Sequence, residues 1–181
     1  MLYQLRKATL ADQIDLKSLI ARSARALCAQ DYTSQQIEGA LRGAFGLDTQ
    51  LIKDGTYFVA EIDGKIVGCG GWSQRRTAFG GDAATERDPT ELDPEREAAK
   101  IRAFFVDPAY ARQGIGRALL QRCETEAQAH GFSRLELMAT LPGVRLYRSL
   151  GYTARTAIQY ELAPGLMIEF VPMDKSISAP G

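Results

Sequence analysis

Between Lys100 and Ala139 the chain reads as strand, glycine-rich turn, helix and strand, and this order constrains the fold more than any other stretch. The run KIRAFFVDP reaches a proline after four consecutive apolar residues, Ala103 to Val106, a pattern suited to a strand buried on both faces. Ile115, Leu119, Cys123 and Ala127 then recur at every fourth position, with Leu120 widening the stripe. That spacing predicts a helix over 114–130, capped by Gly131. Leu135, Leu137 and Ala139 alternate with Arg134, Glu136 and Met138, so a second strand follows. Two strands joined through a helix make a parallel crossover, right-handed by the sterics of twisted strands.

The flanking segments predict antiparallel strands around this unit. Residues 2–9 read as a strand, and Thr9 with Asp12 forms a capping pattern for a helix whose buried stripe is Leu10, Ile14, Leu19, Ile20 and Leu27. A second helix starts at Thr33, with Gln36 three residues on and Ile37, Ala40, Leu41, Ala44 and Phe45 on one face. Thr56 to Ile62 and Lys65 to Trp72 form a hairpin around the turn pair Asp63-Gly64. A short helix spans Pro142 to Leu150, ended by Gly151, and two more strands flank Pro164-Gly165.

The expected fold is therefore α/β: a mixed, mostly antiparallel central sheet of about six to seven strands flanked by about four helices. One domain over 1–175 accommodates it, with 176–181 as a fraying tail. From Ser73 to about Ala99 the apolar pattern lapses for longer than most loops in compact domains. Residues 76–97 either close over a substrate, with Gly80-Gly81 as hinge, or stay mobile.

Charge excludes several functions. Lys plus Arg equals Asp plus Glu, 22 each, so no general basic field invites nucleic acid or an anionic membrane. No stretch approaches the roughly 20 apolar residues of a membrane span, and no export signal opens the chain. Cys28, Cys69 and Cys123 are odd in number, far apart and lack ligand spacing, so we expect buried thiols in a reducing cytoplasm and no metal.

The sequence ARQGIGRALL places Gly114 and Gly116 at a helix entry, where the amides of residues 112–117 can point outward unobstructed. Free helix-start amides and the helix dipole attract phosphate, and Arg112 and Arg117 add charged donors. A Walker loop would require Gly-Lys-Ser/Thr, but Arg117 and Ala118 follow Gly116. A dinucleotide fingerprint would require Gly or Ala where Leu119 stands.

The stretch FFVDPAYARQGIGRALL resembles the acetyl-CoA-binding motif of the GNAT superfamily of N-acetyltransferases, in which a V-x-P strand end precedes R/Q-x-x-G-x-G/A. GVRLYRSLGY, residues 143–152, resembles the later motif of that family, a short helix carrying a tyrosine before a Gly-Phe/Tyr pair. The order of elements matches from about residue 3 to residue 174. Two positions depart from the pattern: Ala111 stands at the R/Q position, and TLPGV lacks the asparagine that many members carry.

The resemblance implies acetyl transfer from acetyl-CoA to a primary amine by direct attack, with the cosubstrate held where two parallel strands splay. It implies that Phe105 and Val106 lie along the pantetheine arm, that Arg112, Gln113, Gly114, Ile115, Gly116 and Arg117 hold the diphosphate, and that Tyr147 protonates or hydrogen-bonds the departing sulfur. A small-molecule amine or an exposed amino group is the expected acceptor. No carboxylate lies between Ile101 and Val106, so Glu97 and Glu61 are the candidate bases, with a water chain as the substitute. Asp31, Tyr32, Trp72 and Arg75 form the candidate acceptor group. The C-terminal hairpin is a candidate homodimer interface. The rival expectation is a non-catalytic module that senses acyl-CoA.

Overall fold

Asp63 and Gly64 both take positive φ, 49° and 79°, and so turn β2 (Tyr57–Ile62) back onto β3 (Lys65–Ser73). That hairpin belongs to the sheet in a computed structural model that describes residues 2–84 and 87–177. β1 (Gln4–Lys7) pairs with β2 on one side, and β4 (Ala99–Val106) pairs with β3 on the other, all antiparallel. β5 (Arg134–Ala139) joins β4 in parallel, the predicted crossover. β6 (Thr153–Ala154), β7 (Ile158–Ala163) and β8 (Leu166–Ser176) complete the order β1-β2-β3-β4-β5-β8-β6, with β7 also paired to β8.

β8 is long enough to serve two roles. Its second half, Val171 to Ser176, pairs with β5, while Phe170 back to Leu166 pairs with β7 beyond the end of β5. Eight strands thus replace the expected six to seven. The two-residue β6 is too short for an alternating pattern to reveal it. Ser176 completes β8 and the Ile177 amide donates to the Ser133 carbonyl at 2.8 Å; residues 178–181 lie outside the described ones.

Among the described residues five α-helices flank the sheet: α1 (Gln13–Leu27), α2 (Ser34–Leu41), α3 (Thr49–Lys53), α4 (Ile115–Ala129) and α5 (Val144–Ser149). Both predicted caps form. Asp12 accepts from the Thr9 amide at 2.8 Å, and Thr33 and Gln36 exchange bonds of 3.1 and 2.8 Å. The buried stripe of α1 keeps Leu19 and Ile20 of the predicted set and adds Leu16, Ser23 and Ala24, whereas Leu10 and Leu27 are exposed and Ile14 is 82% exposed. Ile14 stands six residues before Ile20, about one and two-thirds turns, and so points about 120° away from it. Leu16, one turn before Ile20, takes the buried place, where a leucine contributes roughly 1.5–3 kcal/mol.

Alternation along the strands sends side chains to two apolar cores. Leu16, Leu19, Ile37, Val59, Cys69 and Phe170 pack with α1 and α2 on one face. Phe58, Val67, Leu119, Cys123, Leu135 and Tyr147 pack with α4 and α5 on the other.

The long connection after β3 is built, not structureless. It doubles back on itself, with Thr77 bonded to Asp88 and Leu92 to Gln74. It is pinned to the chain after α2 by Gly81 to Gly43 at 2.8 Å and by Asp82 to Leu47 at 2.9 Å. The carbonyls of Gly80 and Gly81, the candidate hinge, accept from Arg102 and Arg87. Thr85 and Glu86 lie outside the described residues.

Candidate active site

The ladder between β4 and β5 ends after two pairs, Ala99 with Leu135 and Lys100 with Glu136. Beyond them the strands part, and a cleft of about 810 Å³ opens between them. Its lining takes Phe45, Phe105 and Phe170 from one core and Ile115, Val106 and Tyr147 from the other. The cleft therefore connects the two faces of the sheet through the splay. This also corrects the expected double burial of Ala103 to Val106: these residues are half-buried because one edge of β4 borders the cleft.

A bulge shapes that edge. Against β3 the register steps from Gly71–Arg102 to Cys69–Phe105, so Ala103 and Phe104 stand opposite Gly70 alone. Ala103 takes φ +55°, a left-handed conformation that costs an alanine roughly 1–2 kcal/mol. The Tyr57 hydroxyl holds it by donating to the Ala103 carbonyl at 2.9 Å. Phe104 lies where a Gly70 side chain would be, with ring atoms 2.7–2.8 Å from that position. No residue of IRAFFV announces the bulge; the Gly70-Gly71 pair on the partner strand is the signal.

At the end of β4 the buried carboxylate of Asp107 turns the chain. It accepts from the Ala109 amide at 2.9 Å and from Arg22 at 3.1 Å, with Lys65 at 3.6 Å. Burial alone would raise its pKa, but these donors outweigh it and hold the group below the usual aspartate range. Arg112 and Gly114 then take φ +61° and +86°, and α4 begins at Ile115. Among the described residues no acceptor meets the amides of residues 112–117, and a side chain added at Gly114 would meet no atom within 4 Å. Such an open set of amides at a helix start is a receptor for a phosphate group.

Arg112, Gly114, Ile115, Gly116 and Arg117 line the cleft, as does Ala111; Gln113 sits in the same turn, exposed and outside the lining. Across from them, Tyr147 on α5 packs edge-on against Phe104 and Tyr152, with centroids 6.4 and 5.9 Å away. Its hydroxyl has no partner among the described residues yet is not one of the buried unsatisfied atoms, so it opens on the cleft. Burial holds its pKa well above the usual tyrosine value, with Cys123 adding slightly. It is a neutral phenol and can donate a proton.

The other expected residues divide. Asp31, on the turn after α1, lines the cleft and is the only carboxylate among the described lining residues. Tyr32 is locked into the framework: its hydroxyl donates to Glu169 at 2.7 Å and accepts from the Leu141 amide at 2.9 Å. Trp72 is fully buried against Phe132 and His130, with its indole nitrogen on Glu126 at 3.3 Å. Arg75 is paired to Asp54 at 2.7 Å. Glu61 is paired to Arg6 at 2.8 Å and Glu97 to Arg76 at 2.8 Å. None of these last five lines the cleft.

Arg102 was not anticipated. It borders the cleft from β4 but is 3% exposed and is consumed by Asp48 at 2.9 Å and by the carbonyls of Thr77 and Gly80. An arginine inside KIRAFFV, where its neighbours are apolar, was the available signal. Cys28 also lines the cleft; burial, with Asp31 nearby, pushes its thiol up to about 11.

The model of the acetyltransferase (GNAT) family matches residues 24–152. Among curated proteins, an IAA acetyltransferase of Azospirillum brasilense is 30% identical over 112 residues, 60% of this chain. The matched part spans 61% of the length of that relative. A GCN5-related N-acetyltransferase of Rhodopseudomonas palustris superposes with a TM-score of 0.70 at 19% identity, covering 98% of this chain and 97% of that one. The PaiA N-acetyltransferase of Thermoplasma acidophilum, solved with coenzyme A, gives 0.66 at 15% identity over 97% and 99%. The ribosomal-protein-S18-alanine N-acetyltransferase of Escherichia coli gives 0.60 at 18% over 99% and 97%. At these identities the structural likeness is one of fold.

Proposed function

The chain belongs to the GNAT family of acetyltransferases, and from that premise we propose that it moves an acetyl group from acetyl-CoA to a primary amine, on a small molecule or an exposed amino group, by direct attack in a ternary complex. One observation carries the reading. The cleft runs from the unpartnered amides at the head of α4, between the splayed strands and past the Tyr147 hydroxyl, to the opposite face of the sheet.

Each part of that path has a role. The amides of residues 112–117, with Arg112 and Arg117, hold the diphosphate, and the open space at Gly114 supports the fit. Phe105 and Val106 border the pantetheine arm, and an amide of the bulged segment donates to the thioester oxygen as negative charge grows there. The amine nitrogen forms a bond to the acetyl carbon while the carbon–sulfur bond breaks. The ammonium first gives one proton to solvent so that its nitrogen can attack; Tyr147 then gives its proton to the leaving sulfur, and the second proton of the nitrogen, lost as the amide forms, restores the Tyr147 phenol.

Glu97 and Glu61 are spent on ion pairs outside the cleft, which leaves Asp31 as the carboxylate that draws an ammonium toward it. With the Cys28 pKa pushed up to about 11, its thiolate is scarce near neutrality, which favours direct attack over an acyl-cysteine.

The test is release of free coenzyme A thiol from acetyl-CoA over a panel of amines. We expect release that depends on the amine and saturates with it. Tight binding of coenzyme A with no amine-dependent release would instead favour an acyl-CoA-sensing module.

A further inference from the structure

The face of the cleft opposite the α4 head is walled by aromatic rings from four separate segments. Phe45 follows α2, Phe79 lies on the long connection, Phe105 is on β4 and Phe170 is on β8. Phe45 stands 6.0 Å from Phe105 and 6.1 Å from Phe170, and Phe79 stands 5.6 Å from Phe170. Tyr160 backs Phe79 edge-on at 4.9 Å. Rings so arranged, T-shaped or tilted at ordinary contact distance, make a fixed wall in which Phe79 and Phe105 are half-buried and Phe45 and Phe170 are buried behind them.

Asp31 supplies a carboxylate. Arg102 lines the cleft from β4, with its donors on Asp48, Thr77 and Gly80, and on the outer side of Phe79 and Tyr160 Arg87 is held by Asp48 and Arg76 by Glu97. The remaining cations of the lining, Arg112, Arg117 and Arg145, are carried by the head of α4 and by α5, whose packing residues belong to the other face. An acceptor with a carboxylate or phosphate of its own would have to shed its water against phenyl rings where, among the described lining residues, every nearby guanidinium is already paired.

Resting on the reading of this cleft as an acetyl-transfer site, we infer that the acceptor is a primary amine with an aromatic or similarly bulky apolar body and no carboxylate or phosphate group. Its ammonium is drawn by Asp31, and its ring stacks among Phe45, Phe79 and Phe170. The bulged edge of β4 beside Phe105 is then where its nitrogen meets the thioester.

Calorimetric titration of the wild-type protein with 2-phenylethylamine, phenylalanine and propylamine, with and without saturating coenzyme A, tests this. Phenylethylamine should bind at least about tenfold more tightly than either of the others, one power of ten in Kd. Phe79→Ala should weaken phenylethylamine more than propylamine, whereas Asp31→Asn should weaken both. Equal or tighter binding of phenylalanine or propylamine by the wild-type protein overturns the inference, as does absence of phenylethylamine binding. These comparisons need no variant to fold. Failure to bind coenzyme A would count against the proposed function, while the titrations without it still test the aromatic wall.

Discussion

Arg102 on β4 and Asp48 at the start of α3 form an ion pair at 2.9 Å in which each side chain is only 2% exposed. The same carboxylate holds Arg87 at 2.8 Å, and both guanidinium groups bind carbonyls of the Gly80-Gly81 turn. One buried acid thus fastens the long connection, and with it Phe79, to the sheet. Asp48→Asn leaves two cations facing a neutral amide, and loss of one partner of a buried pair costs roughly 3–5 kcal/mol. Urea unfolding should show that loss. In whatever fraction stays folded, KM should rise more for the amine than for acetyl-CoA, because the described residues that the connection gives to the cleft, Ala78, Phe79 and Gly80, belong to the side proposed to receive the acceptor. A variant as stable as wild type would show that the pair does not anchor this segment.

Tyr147→Phe separates chemistry from packing. The ring is held by Phe104 and Tyr152, and the hydroxyl has no partner among the described residues, so stability should change by less than about 1 kcal/mol. Loss of a general acid should lower kcat roughly 10²-fold or more, with little change in coenzyme A affinity. Stopped turnover assays and a melting curve suffice, and an unchanged kcat would remove Tyr147 from the reaction.

Two glycines of the same region should fail in opposite ways. An alanine at Gly114 meets no neighbour, so its cost to folding is the left-handed backbone alone, roughly 1–2 kcal/mol. Its methyl group nevertheless stands among the open amides, and coenzyme A affinity should drop about tenfold. At Gly68 an added Cβ would lie 2.7 Å from Ile115 Cγ2, on the packed side of the same helix. Gly68→Ala should therefore lose roughly 1–3 kcal/mol of stability from overpacking. Wild-type coenzyme A affinity in Gly114→Ala would place the diphosphate elsewhere.

What the sequence made legible follows from the range of the interactions involved. α4, the hairpin around Asp63-Gly64 and the capping box at Thr33 are set within a few residues, and period or turn chemistry predicts each of them. The open, left-handed turn at Gly114 was readable for the same reason. The splay of β4 from β5, the bulge at Ala103 and the aromatic wall depend on strands far apart in the chain, and only Gly70-Gly71 hinted at one of them. The residues expected to serve as acceptor group and base were marked largely by their nearness to loops, and the structure gives most of them other partners. Trp72, Arg75, Glu61 and Glu97 lie near loop ends, but each finds a partner within the framework before it can reach the cleft.

Acid should unfold the protein through a few particular carboxylates. The Arg6 guanidinium, with the Thr9 amide, holds Asp12 below the usual aspartate value of 3.8 despite burial. Burial would raise Asp54 and Asp107, but Arg75 with Gln50 in one case and the Ala109 amide with Arg22 in the other outweigh it, so both also lie below 3.8. A depressed folded-state pKa means that the unfolded chain binds more protons over that interval, so stability there rises with pH. The contribution is complete above about pH 5 and drains away as pH falls past 3.8 and through the folded-state values. Free energies from urea unfolding at successive pH values from 6 to 3 should fall accordingly in wild type. In Asp12→Asn the starting stability should be lower and the decline between pH 5 and 3 shallower, because one of the responsible groups no longer titrates. A decline as steep as in wild type would show that the Arg6–Asp12 contact carries no proton linkage.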